Sequence, residues 1–187
     1  MERTVFYFEK PGPENTEACL GLLVEAVRQG TKHVLVASTV GDTGVAAAEA
    51  VEGMDANLVV VTHSVGFSGP NIDDLRPDNR ERIRSLGAKV LTATMPTHAI
   101  ETSLMGQHQG VYPAYIIAQA LRRFSQGVKV GVEICLMACD AGLVPEGEEV
   151  LTLAGTARGA DTLMLLLSAP SKRFLNLKVL EILAKPR

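Results

Sequence analysis

The run His33-Val34-Leu35-Val36-Ala37-Ser38-Thr39-Val40-Gly41-Asp42-Thr43-Gly44 decides the fold. It begins as an apolar stretch of strand length and passes straight into a loop of small hydroxyl and glycine residues. Residues 45–51 follow with helical character, and Gly53 stands where a helix C-cap is expected. Strand, small polar loop and helix N-terminus together are how α/β folds build an anion site. The first helical turn leaves backbone N–H groups unpaired and carries partial positive charge. Gly41 and Gly44 are expected to let a ligand approach the backbone. Ser38, Thr39 and Thr43 can add hydroxyl donors. The loop therefore reads as a phosphate cradle. Its plain alternative is a strand-to-helix turn with Asp42 or Thr43 as the N-cap. No Lys follows the glycines, so this is not a Walker A loop, and neither the dinucleotide fingerprint nor the hydrolase nucleophile elbow is present.

Outward from this stretch, composition sets the frame. The chain has 187 residues and no Pro-rich or Ser/Gly-rich linker, so residues 1–187 are read as one domain. Apolar residues make up 47% and aromatic residues 4%, with no Trp; Val, Leu, Ala and Gly dominate. That balance suits a parallel sheet buried on both faces by helices, an α/β fold. The net charge is −3 and no long basic block occurs, so neither nucleic acid nor an anionic membrane is an expected partner. Arg76, Arg80, Arg82 and Arg84 interleave with Asp73, Asp74, Asp78 and Glu81, which reads as a solvated helix face. The three cysteines, Cys19, Cys135 and Cys139, are read as small core residues, and no metal site is expected. An odd cysteine count, an N-terminus unlike a signal peptide and the absence of a long apolar run point to a cytoplasmic protein.

Along the chain, residues 4–8 are strand-like, and a helix capped by Asn15 or Thr16 runs to about Gln29. Asn15 and Thr16 precede the strand that feeds the cradle, so they are candidates to lie beside it as well as to cap. Residues 57–62 form a buried strand that opens into His63-Ser64-Val65-Gly66-Phe67. In open parallel sheets ligands bind outside the carboxyl ends of the strands. His63, Ser64, Val65, Gly66 and Phe67 are therefore site candidates, with Phe67 placed to meet a flat ring; the alternative is a glycine-rich crossover with Phe67 in the core. A helix is predicted over 78–86 and a strand over 88–93, followed by a loop holding His98, a possible partner of Glu101. Further helices are predicted over 111–126, ended by Gly127, and over 132–141, closed by Gly142, although the Val and Ile content of 132–141 allows a strand instead. Near the end, two apolar strands flank Gly155-Thr156-Ala157-Arg158-Gly159-Ala160-Asp161-Thr162, and so short a loop joins antiparallel partners most easily. Thr156, Arg158, Gly159, Asp161 and Thr162 are candidates for holding a ligand. The guanidinium of Arg158 can take a phosphate through two hydrogen bonds; the alternative is a surface Arg on a hairpin. The tail from Phe174 is ambiguous between helix and strand.

The two loops together resemble the C-terminal α/β domain of pyruvate kinase. The resemblance rests on the hydroxyl- and glycine-rich loop within 37–46, on Gly142-Leu143-Val144-Pro145-Glu146-Gly147-Glu148, and on the strand–loop–strand over 151–164. It runs in order over roughly residues 14–168. It implies a three-layer α/β/α fold with a mostly parallel, mixed sheet of five strands, in which the two loops hold a phosphorylated effector. The catalytic barrel of that enzyme and its metal and phosphoenolpyruvate ligands have no counterpart here, so pyruvate kinase activity is not expected. Asp42, an anion within an anion site, must turn away from phosphate, cap the helix or hold ligand hydroxyls. The chain looks more like small stand-alone archaeal proteins of this fold, a resemblance that points to flavin mononucleotide (FMN) as a cofactor. The expected function is binding of a phosphorylated, ring-bearing small molecule. The alternatives are an enzyme, flavin-dependent or acting on a small phosphorylated metabolite, with His63, Asp42 and His98 as acid/base groups, or a regulatory module of a larger assembly. A homo-oligomer is compatible with all three.

Overall fold

The computed structural model describes residues 4–187; Met1 to Arg3, part of the N-terminus compared above with a signal peptide, lie outside the described residues. Seven strands, β1 (Phe6–Phe8), β2 (His33–Ala37), β3 (Asn57–Thr62), β4 (Lys89–Thr92), β5 (Glu149–Ala154), β6 (Thr162–Leu167) and β7 (Lys178–Pro186), form one sheet in the order β1-β7-β6-β5-β2-β3-β4. Only β6 runs against the rest, pairing antiparallel with both β5 and β7. Among the described residues six α-helices accompany the sheet: α1 (Thr16–Arg28), α2 (Asp42–Ala50), α3 (Pro77–Ser85), α4 (Ile100–Gln107), α5 (Pro113–Arg122) and α6 (Gln126–Asp140). No helix among the described residues is long and apolar enough to cross a membrane.

The alternation of β2 divides the core. Val34 and Val36 face one apolar layer with Cys19 and Leu23 of α1, Ala47 and Ala48 of α2 and Ile83 of α3. Leu35 faces the other, with Val128, Ile134 and Cys135 of α6. Central strands buried on both faces need an unbroken apolar run, and Val34 to Val36 of β2 and Leu58 to Val61 of β3 supply it. The result is the three-layer α/β/α arrangement, with seven strands where five were expected. The two additional strands are β1 and β7, which pair in parallel at the sheet edge. The tail therefore resolves as a short 3-10 turn, Ser171–Asn176, followed by β7.

The largest departure from the sequence reading is α6. The helix expected over 111–126 ends at Arg122, and Gly127 lies inside the next helix instead of stopping the previous one. Ser125 starts α6, its Oγ accepting from the Val128 N–H at 3.0 Å. A Cβ on Gly127 would stand 2.2 Å from Thr162 Oγ1, and one on Gly131 would stand 2.5 Å from Met164 Cε. Both glycines let α6 lie close on the sheet, a packing requirement that looks like a helix stop in the sequence. α4 (Ile100–Gln107) is a second departure, a helix where only a loop is expected after the strand over 88–93.

Cys19 and Cys135 are fully buried as expected, and burial together with the Asp161 charge pushes the Cys19 thiol up to about 12. Cys139 differs. It is only partly buried, and a hydrogen bond from Cys135 holds its thiol below the ordinary range.

Candidate functional site

The chain steps outward from β2 to β3 and β4, then returns to place β5 on the other side of β2. This reversal opens a crevice at the carboxyl ends of β2 and β5, where open α/β sheets bind ligands. A cleft of about 680 Å³ lies there, and loops following β2, β3, β4 and β5 contribute to its lining. Its volume falls within the roughly 300–1,000 Å³ typical of small-molecule sites.

Ser38, Thr39, Asp42 and Thr43 line the first wall. Ser38 Oγ accepts from the Gly44 N–H at 3.1 Å, tying the loop to the first turn of α2. Gly41 and Gly44 do not line the cleft, contrary to expectation. Gly41 is left-handed (φ 104°), and a Cβ there would meet Asn79 Cβ at 2.5 Å. A Cβ on Gly44 would meet Val60 Cγ1 at 2.6 Å. The two glycines let α2 start sharply and pack on α3 and β3, while the hydroxyl residues Ser38, Thr39 and Thr43 line the cleft. Asp42 does not cap α2. Its Oδ1 accepts from Arg76 at 3.0 Å and from Asn79 Nδ2 at 2.9 Å, so its charge is compensated toward α3. Arg76, read as part of a solvated face, also reaches the cleft.

The second wall is the turn after β5, where Gly155, Ala157, Arg158 and Gly159 line the cleft. Asp161, Thr162, Thr156 and Asn15 stand behind it. Asp161 is fully buried: its Oδ2 accepts from the N–H groups of Gly12 (3.2 Å) and Thr156 (3.1 Å), and its Oδ1 from the Thr162 hydroxyl (2.8 Å). Asn15 Nδ2 donates to the Lys10 and Gly12 carbonyls at 2.9 and 3.2 Å. A buried carboxylate satisfied by three internal donors has a structural task, shaping the turn that presents Arg158. Thr16 does line the cleft, and its Oγ1 accepts from the Ala160 N–H at 2.9 Å.

From the loop after β3, His63 and Phe67 reach the cleft, while Ser64, Val65 and Gly66 lie outside it. The His63 and Phe67 rings are 4.2 Å apart, and His98 meets Phe67 edge-on at 6.2 Å. Phe67 is 47% exposed, so it borders the cleft and does not join the core. His63 Nδ1 lies 3.4 Å from Asp74 Oδ2 without a hydrogen bond. The expected His98–Glu101 pair does not form: Glu101 Oε2 accepts from the Ala114 N–H at 2.9 Å.

His98 turns instead to a group that the sequence reading missed. Lys129 and Glu133, one turn apart on α6, are 3% and 4% exposed and form an ion pair at the cleft. Lys129 Nζ is also 3.3 Å from His98 Nδ1. The N–H of Thr97 donates to Glu133 Oε1 at 3.0 Å, and its hydroxyl donates to the same oxygen. Burial pushes the Glu133 carboxyl up, but Lys129 and Thr97 outweigh it and leave the carboxyl below its ordinary range. Burial lowers Lys129, and Glu133 restores only part of the drop. The detectable signal was a Lys and a Glu four apart within an apolar run, hidden because Gly127 had been read as a stop.

Burial first, and then the Lys129 ammonium, hold the His98 imidazole below its ordinary value of 6.5. A histidine depressed on folding binds fewer protons than it does unfolded. Its contribution to stability is therefore intact above 6.5 and declines as pH falls from there toward its folded value. The melting temperature should drop as pH goes from about 7 to about 5, and His98→Phe should flatten that part of the profile. Parallel profiles for the two proteins would refute this.

The fold defines an α/β protein with a cleft at a topological switch point. The chain belongs to the pyruvate kinase alpha/beta domain family, whose sequence profile matches residues 17–166. That span covers α1 to β6 and leaves out β1 and β7. Among solved structures, a pyruvate kinase from Cryptosporidium parvum is similar at 13% identity and a TM-score of 0.42, covering 82% of this chain and 23% of that chain. O-ureido-L-serine synthase is similar at 19% identity and a TM-score of 0.31, covering 60% of this chain and 29% of its own. An NH3-dependent NAD synthetase from Campylobacter jejuni, in complex with nitrate, is similar at 14% identity and a TM-score of 0.36, covering 76% of this chain and 56% of its own. The present chain thus spans less than a quarter of the length of the C. parvum kinase.

Proposed function

We propose that the cleft binds a phosphorylated, ring-bearing small molecule, with FMN the first candidate. One observation carries the reading: a loop of hydroxyls at a helix N-terminus and Arg158 line the same switch-point cleft as the ring edge of Phe67. Ser38, Thr39 and Thr43 would hold the phosphate together with the first turn of α2, and Arg158 would close on it from the turn after β5. Phe67, His63 and His98 would border the ring. The donor set is neutral or cationic, apart from Asp42 and Glu133, and both of these already have cationic partners. A planar aromatic phosphate therefore fits the residues present. If the ligand is FMN, the flavin supplies redox chemistry and these residues supply binding and orientation. The reading does not extend to the kinase reaction.

Absorbance of the purified protein and a titration with added FMN test it. Arg158→Ala and the near-isosteric Thr43→Val should each weaken FMN binding by roughly tenfold or more, as expected for loss of a hydrogen bond to a charged phosphate. Unchanged affinity in both variants would refute the cradle. Failure of FMN to bind or to raise the melting temperature would remove flavin and turn the search to sugar phosphates at the same loops.

A further inference from the structure

We infer that His98, backed by Lys129, Glu133 and Arg122, forms a second pole of the cleft that donates a hydrogen bond to a ring carbonyl or carboxylate oxygen of the ligand. The inference deepens the proposed function and rests on it for the phosphate end of the ligand. The argument begins with the proton inventory. An ammonium group has only donors, so Lys129 Nζ at 3.3 Å makes His98 Nδ1 the acceptor. That assigns the ring proton to Nε2, on the opposite edge of a residue that lines the cleft. His98 is then a neutral donor held in one tautomer. Glu133 keeps Lys129 in place through its Oε2, while Thr97 occupies Oε1 twice, so the carboxylate is fully engaged and does not compete for the ring proton. Lys129 and Glu133 cancel in charge. Arg122 also lines the cleft, and its Nε donates to Gln126 Oε1 at 2.8 Å. One positive charge is therefore left in excess around a preorganised N–H donor. This is the arrangement that favours an acceptor oxygen carrying full or partial negative charge.

The imidazole nitrogen shifts of the free protein should report a neutral Nε2–H tautomer for His98 near neutral pH; an Nδ1–H tautomer would overturn the inference without any ligand. Phenyl phosphate and para-carboxyphenyl phosphate, which differ only by the acidic group, provide the binding test. The wild-type protein should prefer the carboxylated compound by about tenfold. His98→Phe should abolish the preference, and His98→Gln, which restores a neutral N–H, should recover part of it. Arg158→Ala should weaken both compounds and leave their ratio unchanged. No preference in the wild type, or a preference that survives His98→Phe, would overturn the inference. If neither compound binds, the phosphate reading fails by itself. Benzoate then decides the pole: movement of the His98 nitrogen shifts supports it, and unmoved shifts overturn it.

Discussion

Lys129→Met is expected to cost about 3–5 kcal/mol of folding stability, the loss that follows when one partner of a buried ion pair is removed. Its side chain is 3% exposed and pairs with the Glu133 side chain, which is 4% exposed. Methionine fills similar space but leaves the Glu133 charge buried with only Thr97 to compensate it. The double variant Lys129→Met/Glu133→Leu removes both charges and should regain most of the loss, because the pair stabilises chiefly by preventing an unpaired charge. Urea unfolding of both variants decides the matter. A single variant as stable as the wild type would show that Glu133 finds another partner or accepts a proton. That result would also deprive His98 of the support assigned to it.

The second large effect is at Asp161. Asp161→Ala should cost about 3 kcal/mol or more, since the buried N–H of Gly12 and the partly buried N–H of Thr156 lose their acceptor and each orphaned donor costs about 1–3 kcal/mol. Asp161→Asn keeps an amide oxygen for those two donors and should lose less than half as much. Thermal melts of the two variants should separate clearly. Equal losses would mean that the negative charge matters more than the acceptor geometry. Because Asp161 shapes the turn that carries Arg158, the alanine variant should also weaken ligand binding without touching the ligand.

The contrast between Asp161 and Lys129 shows what the chain discloses before it is folded. β3 was legible to the residue, and the turn from β2 into α2 was legible as strand, loop and helix, because an apolar run ending in hydroxyls and glycine is a local pattern. The hairpin between β5 and β6 was legible for the same reason. What each residue of those loops does was less legible. Gly41 and Gly44 meet α3 and β3, and Asp161 meets Gly12; such contacts span long stretches of sequence and leave no local mark. Gly127 misled because a glycine that admits a neighbouring strand and a glycine that ends a helix are the same residue. That one misreading removed the first turn of α6, and Lys129 with it, from view.

The pairing of β2 with β5 has a consequence for how the protein is made. The two strands are neighbours in the sheet and remote in sequence, so the entropy of closing the intervening chain is lost before their contacts form. During synthesis β2 and β3 leave the ribosome well before β5 does. Until then one edge of β2, an apolar strand with unpaired N–H and C=O groups, is open to other chains. The cleft is not yet formed at that stage, since Arg158 and the second wall have yet to be translated. The dependence on chaperones should therefore fall in the interval before β5 emerges and end once β5 covers that edge.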